Sequence, residues 1–152
     1  MYEEAIMRFL IINGPNMDML GIREKDKYGG LTLQAIYKEI ENYADSLNIS
    51  AEFVQSNIEG EIINSINKAL GVFDGIIINP AAYTHYSVAI LDALNSTGLP
   101  SIEVHMTNIF AREEYRKKTV TGEACIGIIA GFGKDVYILA VSALLSYINN
   151  RG

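Results

Sequence analysis

The segment Arg8-Phe9-Leu10-Ile11-Ile12, running directly into Asn13-Gly14-Pro15-Asn16, decides how the chain reads. Its apolar part does not alternate with polar residues, as expected of a strand buried on both faces of a parallel sheet. Comparable short runs occur at residues 51–54, 75–78, 101–104 and 125–130. Helical periodicity fills the gaps between them. Leu33, Ile36, Tyr37, Ile40, Ala44 and Leu47 form one stripe behind Thr32, a suitable N-cap. Ile62, Ile63, Ile66, Ala69 and Leu70 form a second, with Ser56 and Glu59 spaced as a capping box, and residues 88–94 give a third.

The last helical pattern, residues 134–148, is apolar nearly all the way round. A helix of that kind lies deep in a core or covers a subunit interface, and the small size of the domain favours the interface. Strand and helix alternate throughout, so the class is α/β, with a doubly wound five-stranded parallel sheet in three layers. Five strands in this length suggest the flavodoxin-like arrangement. No linker, repeat or low-complexity segment divides the 152 residues, which read as one domain, 1–152. The interruption is the polar stretch 107–123, where a short helix is expected around 111–117.

Twelve basic against 18 acidic residues give a net charge of −6, which argues against nucleic acid or an anionic membrane as the main partner. An anionic small molecule would need a locally basic pocket. One cysteine, Cys125, excludes an internal disulfide and suits a reducing cytosol; inside an apolar run it reads as core, not nucleophile. No apolar run approaches the ~20 residues of a membrane span. The first residues, MYEEAIMRF, lack the basic-then-apolar pattern of a signal peptide, so a cytoplasmic protein is expected.

Open parallel sheets bind ligands beyond the carboxyl ends of their strands. After the first run come Asn13, Asn16, Arg23 and Tyr28; after the second, Gln55, Ser56 and Asn57; after the third, Asn79 through His85; after the fourth, His105, Met106, Thr107 and Asn108. Both histidines of the chain thus fall at one sheet edge. An arginine close to a tyrosine is one way to obtain a phenolate base near neutral pH, although Tyr28 also reads as a packing residue before a glycine hinge. His85 reads equally well as a cap for the next helix. Glu103 shares a face with His105 and can fix its tautomer. Arg112 and Arg116, at i and i+4, suit a solvated helix face with Glu113 and Glu114. No HxH, HExxH or cysteine cluster supports a metal, and no glycine-rich phosphate loop is present.

Taken in order, INGPNMDMLGIRE with KYGG, FVQSNIEGE, INPAAYTHYSVAILDAL, IEVHMTNIFAREEYR and GIIAGFGKDVYILA resemble the type II dehydroquinases over nearly the whole chain, residues 8–147. These are 3-dehydroquinate dehydratases of the shikimate pathway. The resemblance implies a flavodoxin-like fold, no metal or organic cofactor, and a homo-dodecamer built from trimers. By resemblance Tyr28 is the base that takes a proton from the carbon next to the substrate ketone, with Arg23 stabilising its phenolate. A free tyrosine titrates near pH ~10, so that help is needed. Asn16 matches the residue that holds the enolate oxygen, through a positioned donor or an ordered water. His105 matches the general acid for the departing hydroxyl, with Glu103 behind it and Arg112 holding the region. Met106 and Thr107 match the anchor for the substrate carboxylate, and Asn79, His85 and Arg116 the grip on its ring hydroxyls. Asp92 matches a residue that completes a neighbouring subunit's site. Residues 19–30 match a lid.

Departures from the family pattern fall at Asp18, Lys25, Ile58, Leu91 and Phe110. They bear on the lid and on contacts between subunits more than on the proposed base, acid or anchor. Two other readings stay open on sequence: a flavodoxin-like binding or signalling module without the chemistry, and the same reaction used in quinate breakdown. A phosphoacceptor module wants aspartates at the ends of the first and third strands, where Asn13 and Asn79 stand.

Overall fold

The computed structural model describes residues 5–22 and 31–151. Its strands are β1 (Met7–Asn13), β2 (Ile49–Gln55), β3 (Gly75–Asn79), β4 (Ser101–His105) and β5 (Gly127–Ala130). Its helices are α1 (Leu33–Ser46), α2 (Glu59–Ala69), α3 (Val88–Thr97) and α4 (Asp135–Asn149). All strand pairs are parallel and the order is β2-β1-β3-β4-β5, the flavodoxin-like arrangement.

Period-2 geometry sends successive side chains of β1 to opposite faces, and each face has its own core. Phe9 and Ile11 pack with Ile36 and Ile40 of α1 and Val136, Tyr137 and Val141 of α4. Leu10 and Ile12 pack with Ile62 and Ile66 of α2 and Ile90 and Leu94 of α3. The sheet is therefore the middle of three layers.

The strands are not equally buried. β1, β3 and β4 lie inside the sheet and match the expectation of two covered faces, while β2 and β5 are edges and retain exposure, Ile128 to 38%. The last strand begins at Gly127, not at residue 125, because Cys125 still closes a 3₁₀ turn, Thr121–Ala124. Thr32 caps α1, its hydroxyl accepting from Ala35 N–H at 3.1 Å.

The expected capping box does not form. Ile58 is the N-cap of α2, Ser56 Oγ donates to Glu61 Oε2, and Glu59 instead accepts from Ser87 Oγ at 2.6 Å. Ser87 itself caps α3 through Ile90 N–H, so His85 is not that helix's cap. The short helix expected around 111–117 is replaced by two separate 3₁₀ turns, Ile109–Ala111 and Glu114–Arg116. Arg112 between them is extended, which breaks the i, i+4 helix face. The inner face of α4, including Ala140 and Leu144, is core, and Leu139 remains 46% exposed.

Candidate active site

Strand order reverses direction between β1 and β3, so the crevice beyond their carboxyl ends is where this topology offers a site. Asn13 and Asn79 end those two strands and are register partners. The backbones close up immediately after them. Gly14 N–H donates to the Asn79 carbonyl at 2.8 Å, and a Cβ on Gly14 would stand 2.5 Å from the Pro80 carbonyl oxygen. Asn16 then turns in the left-handed region at φ 69°, and its N–H bonds Asn57 Oδ1 at 2.9 Å. Gln55 joins the same support, bonding Asn57 Oδ1 and the Gly14 carbonyl. The polar residues after β2 thus hold the β1 turn.

A cavity of about 330 Å³ opens over these ends. Asn16, Asn79, His85, His105, Met106, Thr107, Arg112 and Arg116 all line it. Eight positions scattered from residue 16 to residue 116 therefore converge, two of them arginines in an acidic chain. That is the locally basic pocket an anion requires. Glu103 lies beneath the lining. Asp92 is exposed on α3, outside the lining. Arg23 and Tyr28 lie outside the described residues, as do Lys25 and most of the segment matched to a lid.

His105, which lines the cavity, and Glu103 form a hydrogen-bonded pair. Both are buried, and His105 Nε2 lies 2.8 Å from Glu103 Oε2. A carboxylate oxygen only accepts, so Nε2 carries the hydrogen and Nδ1 is the nitrogen left for other work. Thr84 and Thr119 hydroxyls donate to Oε2, each at 2.8 Å, and Thr121 donates to Oε1. Burial pushes the Glu103 carboxyl upward, but the bonds from His105, Thr121 and Thr84 outweigh it and leave it below its ordinary 4.5. Glu103 is therefore an anion, its charge held against the Nε2–H of the histidine ring.

The lowered value has a consequence for stability. A carboxyl depressed in the folded state stabilises the fold above its unfolded value of about 4.3, and that contribution is lost as pH falls through the native value. Glu103→Gln is expected to cost about 2–4 kcal/mol at pH 7, because it leaves buried donors facing an amide. The gap between the two melting midpoints should narrow as the pH drops below about 4.3, the unfolded value. A gap of equal size at pH 7 and pH 3 would show that the carboxylate charge does not contribute.

His85 Nδ1 donates to the Lys118 carbonyl at 2.8 Å, which leaves Nε2 as the ring's other nitrogen. Arg116 Nε stands 3.0 Å from Glu113 Oε2 without hydrogen-bond alignment, so the pair is ionic and that N–H has no bonded partner among the described residues. Arg112 lies farther from the same carboxylate, 3.8 Å. Cys125 has its thiol pushed up to about 12 by burial, with the Glu103 charge adding to it, and is an inert packing residue. Among the described residues no group of three or more His, Cys, Asp or Glu is placed to hold a metal.

Sequence reasoning missed the threonines around Glu103. Two of them sit in the 107–123 stretch that reads as an interruption; the signal was a buried glutamate with no cation nearby in sequence. It also missed Tyr137, the one hydroxyl-bearing aromatic on the inner face of α4, which contacts both Asn13 and Asn79.

A histidine backed by a buried carboxylate, facing an anion-sized basic crevice at the switch point of such a sheet, marks a flavodoxin-like α/β enzyme equipped for acid–base chemistry. Comparison with known proteins agrees. The chain belongs to the class II dehydroquinase family, whose family model, "Dehydroquinase class II", matches residues 7–145. It is 53% identical over 138 residues to the 3-dehydroquinate dehydratase of Clostridium acetobutylicum, covering 91% of this chain and 96% of that protein. The crystal structure of type II dehydroquinase from Butyrivibrio crossotus superposes with a TM-score of 0.89 at 48% identity, over 91% of this chain and 97% of that one. The type II dehydroquinase from Propionibacterium acnes gives 0.87 at 38% identity, over 93% and 99% of the two chains.

Proposed function

We propose that the chain removes water from 3-dehydroquinate to give 3-dehydroshikimate through an enolate intermediate, as a type II hydro-lyase of the shikimate pathway. The observation that carries this reading is the His105–Glu103 unit at the wall of a basic cavity, in a chain that matches the family over residues 7–145.

In the proposed reaction Tyr28, as a phenolate stabilised by Arg23, removes the proton next to the ketone. Asn16 holds the enolate oxygen, so the charge that develops meets a donor already in place. His105 then delivers a proton from Nδ1 to the departing hydroxyl, while Glu103 keeps Nε2–H and stabilises the ring's positive form. The support for His105 is its tautomer: with Nε2–H committed to a carboxylate, Nδ1 is the nitrogen available to substrate. Met106 and Thr107 take the substrate carboxylate, helped by the positive field of Arg112. Asn79, His85 and Arg116 take ring hydroxyls. Arg116 suits this role because it lines the cavity.

Residues 1–152 form one catalytic domain in this reading, with 19–30 as its lid and no cofactor in the reaction. Asp92 reaches a neighbouring subunit's site in a dodecamer built from trimers, which its exposed position on α3 permits. The enzyme works in the cytoplasm; among the described residues no helix is long and apolar enough to cross a membrane.

The test is direct. Purified protein mixed with 3-dehydroquinate should raise ultraviolet absorbance as the conjugated enone carboxylate of the product forms. A folded sample that gives no rise overturns the reading. Sedimentation of the same sample at the 16.8 kDa of one chain would remove the assembly from it.

A further inference from the structure

We infer that Tyr137 is a positioning residue of this reaction: its hydroxyl fixes the Asn79 amide so that the site offers a hydrogen-bond donor, not an acceptor, to a substrate oxygen. The inference rests on the proposed contact between Asn79 and the substrate.

One backbone group sets the direction of the bonds that link Asn79, Tyr137 and Asn13. Ala81 N–H can only donate, and Asn79 Oδ1 accepts from it at 3.1 Å. That pins the amide, so Asn79 presents Nδ2 to the Tyr137 hydroxyl, 3.1 Å away. The Tyr137 oxygen accepts there and donates its own proton to Asn13 Oδ1. Asn13 is thereby pinned as well, with Nδ2 toward the Tyr37 hydroxyl at 3.4 Å. Asn13 and Tyr137 are fully buried, so no solvent competes for these bonds. Without Tyr137, Asn79 Nδ2 would lack its partner on the core side, and the Ala81 bond alone would hold the amide.

The rest of the Asn79 amide faces the cavity. Its second Nδ2 hydrogen lies toward Met17 Sδ at 3.6 Å, and Met17 lines the cavity. A thioether is a weak acceptor, so a substrate hydroxyl oxygen displaces it readily. The site therefore reads the lone pair of that oxygen.

Steady-state kinetics with 3-dehydroquinate on Tyr137→Phe, Asn79→Ala and the double variant test this. Asn79→Ala is expected to raise KM about tenfold and Tyr137→Phe about five- to tenfold, with kcat within about twofold of the parent. The double variant should be no worse than Asn79→Ala alone, since the hydroxyl acts through the amide. An unchanged KM in Tyr137→Phe, or losses that multiply in the double variant, overturns the inference. An unchanged KM in Asn79→Ala overturns the substrate contact itself.

Asn13→Leu, of similar shape, gives a second route if Tyr137→Phe does not fold: it removes the acceptor of the Tyr137 proton and should raise KM as Tyr137→Phe does. A KM equal to the parent's in Asn13→Leu would overturn the inference as well.

Discussion

His105→Ala is expected to lower kcat by about 10²–10⁴-fold, the usual contribution of a positioned general acid, while KM changes far less. Loss of hydroxide from carbon is difficult without a proton, and His105 offers Nδ1 at the cavity with its ring already oriented by Glu103. In the proposed reaction that nitrogen acts on the departing hydroxyl, so the loss should appear in turnover. Glu103→Gln should reproduce part of the same decrease, because an amide can still accept from Nε2–H but holds positive charge on the ring poorly. Retention of kcat within tenfold in His105→Ala would mean that another group, or water, protonates the leaving oxygen.

Tyr28→Phe is expected to reduce kcat by a comparable 10²–10⁴-fold or more, with substrate or product binding retained. The substitution removes one oxygen and leaves the ring, so it separates the base from any packing role. Tyr28 lies outside the described residues, and its assignment rests on the family motif KYGG with Arg23 five residues upstream. Ligand protection in thermal melting reports binding independently of turnover. Strong residual activity in Tyr28→Phe would remove the phenolate from the mechanism.

The sheet and its order were largely legible because their signal is local: five apolar runs separated by amphipathic stripes leave few alternatives. The same logic located the site, since Asn79, His85 and His105 lie at or just past strand ends, and a parallel sheet gathers such residues along its carboxyl edge. The Glu103–His105 pair was legible from period-2 spacing alone. Three-dimensional partnerships were not. Ser56 pairs with Glu61 while Glu59 turns to Ser87 on another helix, a choice between nearby carboxylates that only packing makes. Thr119 and Thr121 reach Glu103 from 16 and 18 residues away, through a segment without periodicity. Arg112 and Arg116 kept the right spacing for a helix face, yet the chain there folds into 3₁₀ turns and aims both at the cavity.

The crossing of Gly14 beneath Pro80 bears on how binding energy is distributed. β1 and β3 are paired up to Asn13 and Asn79, and Gly14 N–H bonds the Asn79 carbonyl beyond them, so parting the two strands would break these bonds at the floor of the crevice. Its shape is settled during folding, so the conformational entropy of ordering it is already lost before a ligand arrives. Any closure upon binding has to come from the upper side of the crevice. A ligand's contacts to the floor then meet a surface already in place, and the cost of ordering on capture falls on the parts that move.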